Sequence, residues 1–154
     1  MEIFFTIISG ATVFILGQLA LKLLIEPIQE FRKTIADIAY ALIEYANIYA
    51  NPGVAGNEVE KQASKELRKL SSRLNAQIYL IPLYALTSQV FRLPSTDKLV
   101  GAATDLIGLS NGVFKSPTDL VFTNMDRAKR IRTTLGIYIQ ESKQISTTSD
   151  EMSN

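Results

Sequence analysis

The sequence contains no cysteine, no histidine and no tryptophan. Without cysteine there is no disulfide framework, no thiol nucleophile and no zinc–thiolate site. Without histidine the commonest general base and the commonest transition-metal ligand are both missing. The glycines at 53, 56, 101, 108 and 112 do not compose a phosphate-binding loop, and Asp37, Glu44, Asp105 and Asp119 have no recognisable metal-ligand spacing. Internal repeats and strand-like alternation of useful length are absent as well. These absences predict a protein that is not an enzyme and holds no metal or cofactor.

Charge is also missing where it matters most. From Ile3 to Ile25 (IFFTIISGATVFILGQLALKLLI) 23 residues carry one charge, Lys22. As a helix rising about 1.5 Å per residue this run is roughly 35 Å long, against about 30 Å for a bilayer's hydrocarbon core. The reading is a transmembrane anchor over residues 1–25. A cleaved signal peptide fits less well, because only Met1 and Glu2 precede the run, no basic n-region is present, and the apolar core exceeds about 7–15 residues. A buried helix of a soluble protein would leave an uncharged terminal segment prone to aggregation. Lys22 lies near the end of the run, where its stem can reach the interface. Lys22, Arg32 and Lys33 all fall at or after that end and no Lys or Arg precedes it, which predicts a cytoplasmic C-terminal domain.

About 130 residues follow the anchor, enough for one domain with a single core. Glu26-Pro27 should close the span with a kink or a restart. Ile28, Phe31, Ile35, Ile38, Leu42, Tyr45 and Tyr49 form one apolar stripe, ended by the breaker Asn51-Pro52-Gly53 near Ala50. A second helix starts after Asn57, with Val59, Ala63, Leu67, Leu70, Leu74 and Ile78 in register. Leu74 to Phe91 has no charge for 18 residues. Asn75, Gln77, Pro82, Thr87, Ser88 and Gln89 weigh against a second crossing, so it reads as a central core helix kinked at Pro82.

Ser95 can cap a third helix with Leu99, Ala102, Leu106 and Leu109 inside, stopped at Asn111-Gly112. Ser116-Pro117 opens a fourth, with Leu120, Val121, Ala128, Ile131, Leu135 and Tyr138 on its buried face and an end between Ile139 and Lys143. The expected fold is all-α, a transmembrane helix followed by an antiparallel bundle of about four helices over 26–143, with a polar, disordered tail over 144–154.

Short words along the chain carry a resemblance. They are Leu16-Gly17-Gln18, Glu26-Pro27-Ile28, Tyr45-Ala46-Asn47, Asn51-Pro52-Gly53, Leu67-Arg68 with Leu70, Ile81-Pro82 with Tyr84, LIGLSN from Leu106 to Asn111, and Leu135-Gly136-Ile137. In these the chain resembles a group of uncharacterised small bacterial membrane proteins with one N-terminal span. The resemblance implies a single-pass inner-membrane protein and no particular activity.

The net charge of +1 hides an asymmetry. From Lys61 to Arg132 twelve Lys and Arg stand against five Asp and Glu. Lys61, Lys65, Arg68, Lys69 and Arg73 share an arc of about 140° on the second helix, a candidate anion-binding face for a nucleotide, a lipid headgroup or nucleic acid. A solvated outer face is the plainer explanation. Arg127, Lys129, Arg130 and Arg132 form a second cluster pointing several ways. Tyr40, Tyr45, Tyr49, Tyr79, Tyr84 and Tyr138 fit core packing with bonded hydroxyls better than a base-stacking platform.

In the span, Thr6, Gly10, Val13 and Gly17 lie within about 60° of one another, and small residues let helices approach closely in lipid. Gly10, Val13 and Gly17 are therefore candidate association residues and a homo-oligomer is an expected partner state. Two readings follow. One is a membrane-anchored, non-catalytic interaction or assembly module that meets itself or another protein. The other is a ligand-responsive membrane effector that binds an anionic ligand on the basic face.

Overall fold

The computed structural model describes residues 1–114 and 119–138, with the side chains of 119 and 120 left aside. Among them every regular element is helical. The helices are α1 (Glu2–Ala20), α2 (Glu26–Glu44), α3 (Ala46–Ala50), α4 (Asn57–Leu80), α5 (Tyr84–Phe91), α6 (Thr96–Gly112) and α7 (Asp119–Leu135). A five-residue π-helical segment, Leu21–Ile25, joins α1 to α2.

The restart expected at Glu26-Pro27 is present as a change of helical pattern, with Pro27 in the first turn of α2, and no non-helical residue separates it from the span. One helix runs from Glu2 to Glu44. In regular α geometry the ring of Pro27 would press on the carbonyl four residues back and leave it without a donor. The wider π turn immediately before it changes that register: the Glu26 amide bonds the Leu21 carbonyl, five residues back. Pro27 then sits in the first turn of α2, where no amide is needed. Burial begins at the same place. No residue of α1 is buried, Leu24 and Ile25 are half-buried, and Ile28 and Phe31 are core residues.

Four helices make the bundle, and pairs across their seams fix its direction. Arg73 meets Asp37 and Gln77 meets Thr34, so α4 runs against α2. Arg68 reaches Asn111 and the Ser71 hydroxyl donates to the Ala103 carbonyl, so α6 runs against α4. Arg130 reaches Asp105 and Arg127 the Gly108 carbonyl, so α7 runs against α6. The antiparallel four-helix expectation is met, and its core follows the expected stripes except at Val59, which is exposed: Phe31, Ile38 and Leu42 from α2, Leu67, Leu70 and Leu74 from α4, Leu99, Leu106 and Leu109 from α6, and Ala128, Ile131 and Leu135 from α7.

Several local expectations are corrected. The first stripe is interrupted at Tyr45 (φ −95°, ψ 12°), which separates α2 from α3. The stripe is kept all the same, with Tyr45, Ile48 and Tyr49 all buried. The Tyr49 hydroxyl donates to the Leu42 carbonyl at 2.8 Å, tying α3 back onto the last turns of α2.

Leu74 to Phe91 is broken rather than kinked. Proline drives the preceding residue out of the α region, and Ile81 is extended at φ −92°, ψ 113°. Leu83 then turns left-handed at φ 48° before α5 starts. This segment is also only partly core: Leu74, Gln77, Ile81, Tyr84, Thr87 and Ser88 are buried, while Tyr79, Leu80, Leu83, Leu86 and Val90 are exposed.

Ser95 does stand before α6 in extended backbone, but its side chain makes no capping bond. The fourth helix ends at Leu135, earlier than expected. Gly136 takes φ +67° and the Ile137 amide returns to the Arg132 carbonyl at 2.9 Å, a Schellman closure that needs a residue tolerant of positive φ. The start signal at Ser116-Pro117 and the tail over 144–154 lie outside the described residues.

Candidate interaction surfaces

Helix α1 is the first surface. All its residues are exposed, and it is long and apolar enough to cross a membrane. Thr6 and Thr12 turn their hydroxyls back to the carbonyls of Glu2 and Ile8, so neither leaves a free donor. Gly10 and Gly17 have nothing within 4 Å of where a Cβ would stand. With Val13 between them they form a shallow strip open along its whole length, available for close approach of another helix.

The second surface is the basic face of α4. Lys61, Lys65, Arg68 and Lys69 are exposed and Arg73 is half-buried, so the five do share an outer face. They do not converge on a pocket. Lys61 pairs with Glu58 at 3.1 Å and Lys69 with Glu66 at 3.2 Å, both one turn away on the same helix. Arg73 pairs with Asp37 of α2 at 2.9 Å. The Arg68 guanidinium donates to Asn111 Oδ1 at 2.6 Å, where it bridges α4 to the end of α6. Lys65 makes no ion pair among the described residues. Two of the five cations thus stitch helices together, two offset neighbouring carboxylates, and one faces solvent.

The arginines of α7 act in the same structural way. Arg130 grips Asp105 of α6 through Nε at 2.9 Å and Nη2 at 2.6 Å, and also pairs with Asp126. The hydrogen bond to Asp105 raises its pKa further; desolvation opposes this, and the attraction of Asp105 and then Asp126 adds to the rise. Arg127 lies across Gly108 and donates to its carbonyl at 3.2 Å. A Cβ at Gly108 would come within 2.6 Å of Arg127 Nε, so the glycine makes room for this crossing.

The tyrosines divide. Tyr84 donates its hydroxyl to the Pro94 carbonyl at 2.6 Å and Tyr49 donates to Leu42. Burial pushes the Tyr84 pKa up to about 12. It also raises that of Tyr49, against an opposing pull from Arg132, and that of Tyr45, with help from Glu44 and Glu66. These three are packed as expected. Tyr40, Tyr79 and Tyr138 are exposed, contrary to the core reading of their spacing.

A residue that the sequence pattern did not single out holds the far end of the bundle. Asn124 is fully buried, and its amide donates to the Gly112 carbonyl at 2.7 Å and to the Tyr49 carbonyl at 3.1 Å. One side chain therefore closes the ends of α6 and α3 against α7. The nearby Gly53 amide also reaches the Val113 carbonyl at 3.3 Å. An isolated asparagine between Thr123 and Met125 gives no periodic signal. Its one trace in the sequence is the glycine opposite.

Among the described residues no group of three or more acidic side chains could hold a metal ion. Asp37 and Asp105 are committed to Arg73 and Arg130. Ser110 donates to the Ile107 carbonyl and Asn111 accepts from Arg68, so the pair at the end of α6 is structural. Compared with protein-family models, curated proteins and solved structures, the chain matches none.

Proposed function

We propose that the protein is a membrane-anchored, non-catalytic assembly module, held in a bacterial inner membrane by α1 with its helical bundle in the cytoplasm. The observation that carries this reading is the unbroken helix from Glu2 to Glu44. Its first half is apolar and touches no core, and its second half is the first wall of the bundle. A continuous helix shared by span and domain links the orientation of one to the association of the other. The paired and dispersed cations of α4 favour this reading over a ligand-gated effector, which would need basic groups converging on one anion.

The test uses the full chain in its own membrane. Alkaline carbonate should leave it in the pellet, and polymer-extracted native discs should hold more than one copy or a fixed second protein. Recovery in the soluble fraction rejects the anchor. Discs containing a single copy and no partner reject the assembly role.

A further inference from the structure

We infer that the corner formed by the end of α4 and by α5 is a second membrane contact, docking onto an anionic bilayer surface beside the point where α1 enters it. The inference rests on reading α1 as the anchor.

The first support is position. The antiparallel register places Gln77 against Thr34 and Arg73 against Asp37. Continuing it, Leu80 stands level with Phe31, six residues past Ile25. That is about 9 Å along the helix axis, where the headgroup layer on each side of a bilayer is roughly 5–7 Å thick. Leu83 and α5 follow Leu80 at this same end, where Phe91 faces Phe31, Arg32 and Ile35 across one groove.

The second support is chemistry. Tyr79 is 84% exposed, Leu80 59%, Leu83 75%, Leu86 61% and Val90 76%. Five large apolar side chains within twelve residues are thus turned away from the core. In α5 the division is by face: Tyr84, Thr87 and Ser88 point inward while Leu86 and Val90, four apart, point out. Of the three polar residues of this short helix only Gln89 is exposed, beside the outward Leu86 and Val90, so the face it turns to water is largely aliphatic and suited to an interface.

The third support is charge. Next to this corner an open groove of about 380 Å³ runs between α2, the α5–α6 connection and the end of α7. Arg32, Arg92 and Lys98 line it over a floor of Phe31, Ile35 and Phe91, with no carboxylate among its lining residues. None of the three makes an ion pair among the described residues, unlike most cations of α4. Glu26, Glu30 and Asp97 lie at the same end, outside the groove. Cations beside an apolar edge match the phosphates and acyl boundary of an anionic leaflet.

The lack of cysteine makes the test direct. Single cysteines at Leu83→Cys, Leu86→Cys, Val13→Cys in the span and Val54→Cys at the far end of the bundle carry an environment-sensitive fluorophore. The full chain is placed in nanodiscs of neutral lipid, or of lipid with about one third anionic headgroups, with and without a lipid-borne quencher. Positions 83 and 86 should shift to the blue and be quenched, more so with anionic lipid, while position 54 reads water.

Combining Arg32→Ala, Arg92→Ala and Lys98→Ala should remove the anionic-lipid increment, at roughly fivefold per charge in the docked-to-undocked ratio. An unchanged increment overturns the role of the groove. If position 13 is quenched while 83 and 86 read water, this inference falls and the anchor stands. If position 13 is also unquenched, the anchor itself fails. A blue-shifted but unquenched probe at 83 or 86 overturns the lipid contact in favour of a covering protein.

Discussion

Asn124 and Gly112 are a matched pair across the α6–α7 seam. The asparagine amide donates to the glycine carbonyl at 2.7 Å, and a Cβ at position 112 would come within 2.8 Å of Asn124 Cγ. Gly112 is the last residue of α6 and its φ is not positive, so close approach rather than backbone freedom selects glycine there. Gly112→Ala should destabilise the bundle by about 1–3 kcal/mol through overpacking. Asn124→Ala should cost about 1–3 kcal/mol by stranding buried carbonyls. The alanine at 112 should be far better tolerated once Asn124 is truncated, giving a coupling of about 0.5–3 kcal/mol in a double-mutant cycle. Urea unfolding of the detergent-solubilised full chain, followed by circular dichroism, measures all three. Additive losses would show that the two residues do not share one site.

The strip on α1 predicts self-association of the span. Gly10→Leu with Gly17→Leu fills both shallow positions. In a bacterial reporter of transmembrane association this pair should lower the signal by an amount on the order of 1–2 kcal/mol in dimer free energy. Equal signal from the native and substituted spans would remove this face as an interface.

The basic face of α4 should not act as an anion receptor. A ligand present at about 100 times its Kd stabilises a fold by about 2.7 kcal/mol, which a thermal scan of the full chain detects. Nucleoside triphosphate, or inorganic phosphate, should leave the transition unmoved. An upward shift lost on Lys65→Ala or Arg68→Ala would restore the effector reading.

High pH should weaken the bundle through buried tyrosine. Burial of Tyr84 disfavours its phenolate, so the folded chain keeps a proton that the unfolded chain loses. Its stabilising effect is complete below pH 10 and is lost as pH rises from 10 to about 12. Tyr49 is shifted in the same direction and adds to the fall. Tyr84→Phe should flatten the drop in unfolding midpoint across this range and remove the ionisation near pH 12 from an ultraviolet titration. An unaltered profile would contradict the burial of that hydroxyl.

The sequence by itself determined the apolar run over Ile3–Ile25, the four amphipathic stripes and the break at Asn51-Pro52-Gly53. These depend on composition and on periods of one turn, which a helix imposes wherever it packs. It also showed the five cations on one arc of α4, since that too is local. What those cations do was decided by tertiary structure: Asp37 and Asn111 are 36 and 43 residues away from the arginines they meet. Pro27 was legible as a breaker, yet the π turn ahead of it kept the helix intact. Leu80, Leu83, Leu86 and Val90 look like core residues in the chain. The fold leaves them outside: Leu80 ends α4 on its exposed side, and past the break over residues 81–83 the face of α5 that packs carries Tyr84, Thr87 and Ser88 instead. Asn124 gave no periodic signal, because a buried amide is tolerable where open helix ends converge on it, and that convergence exists only in three dimensions.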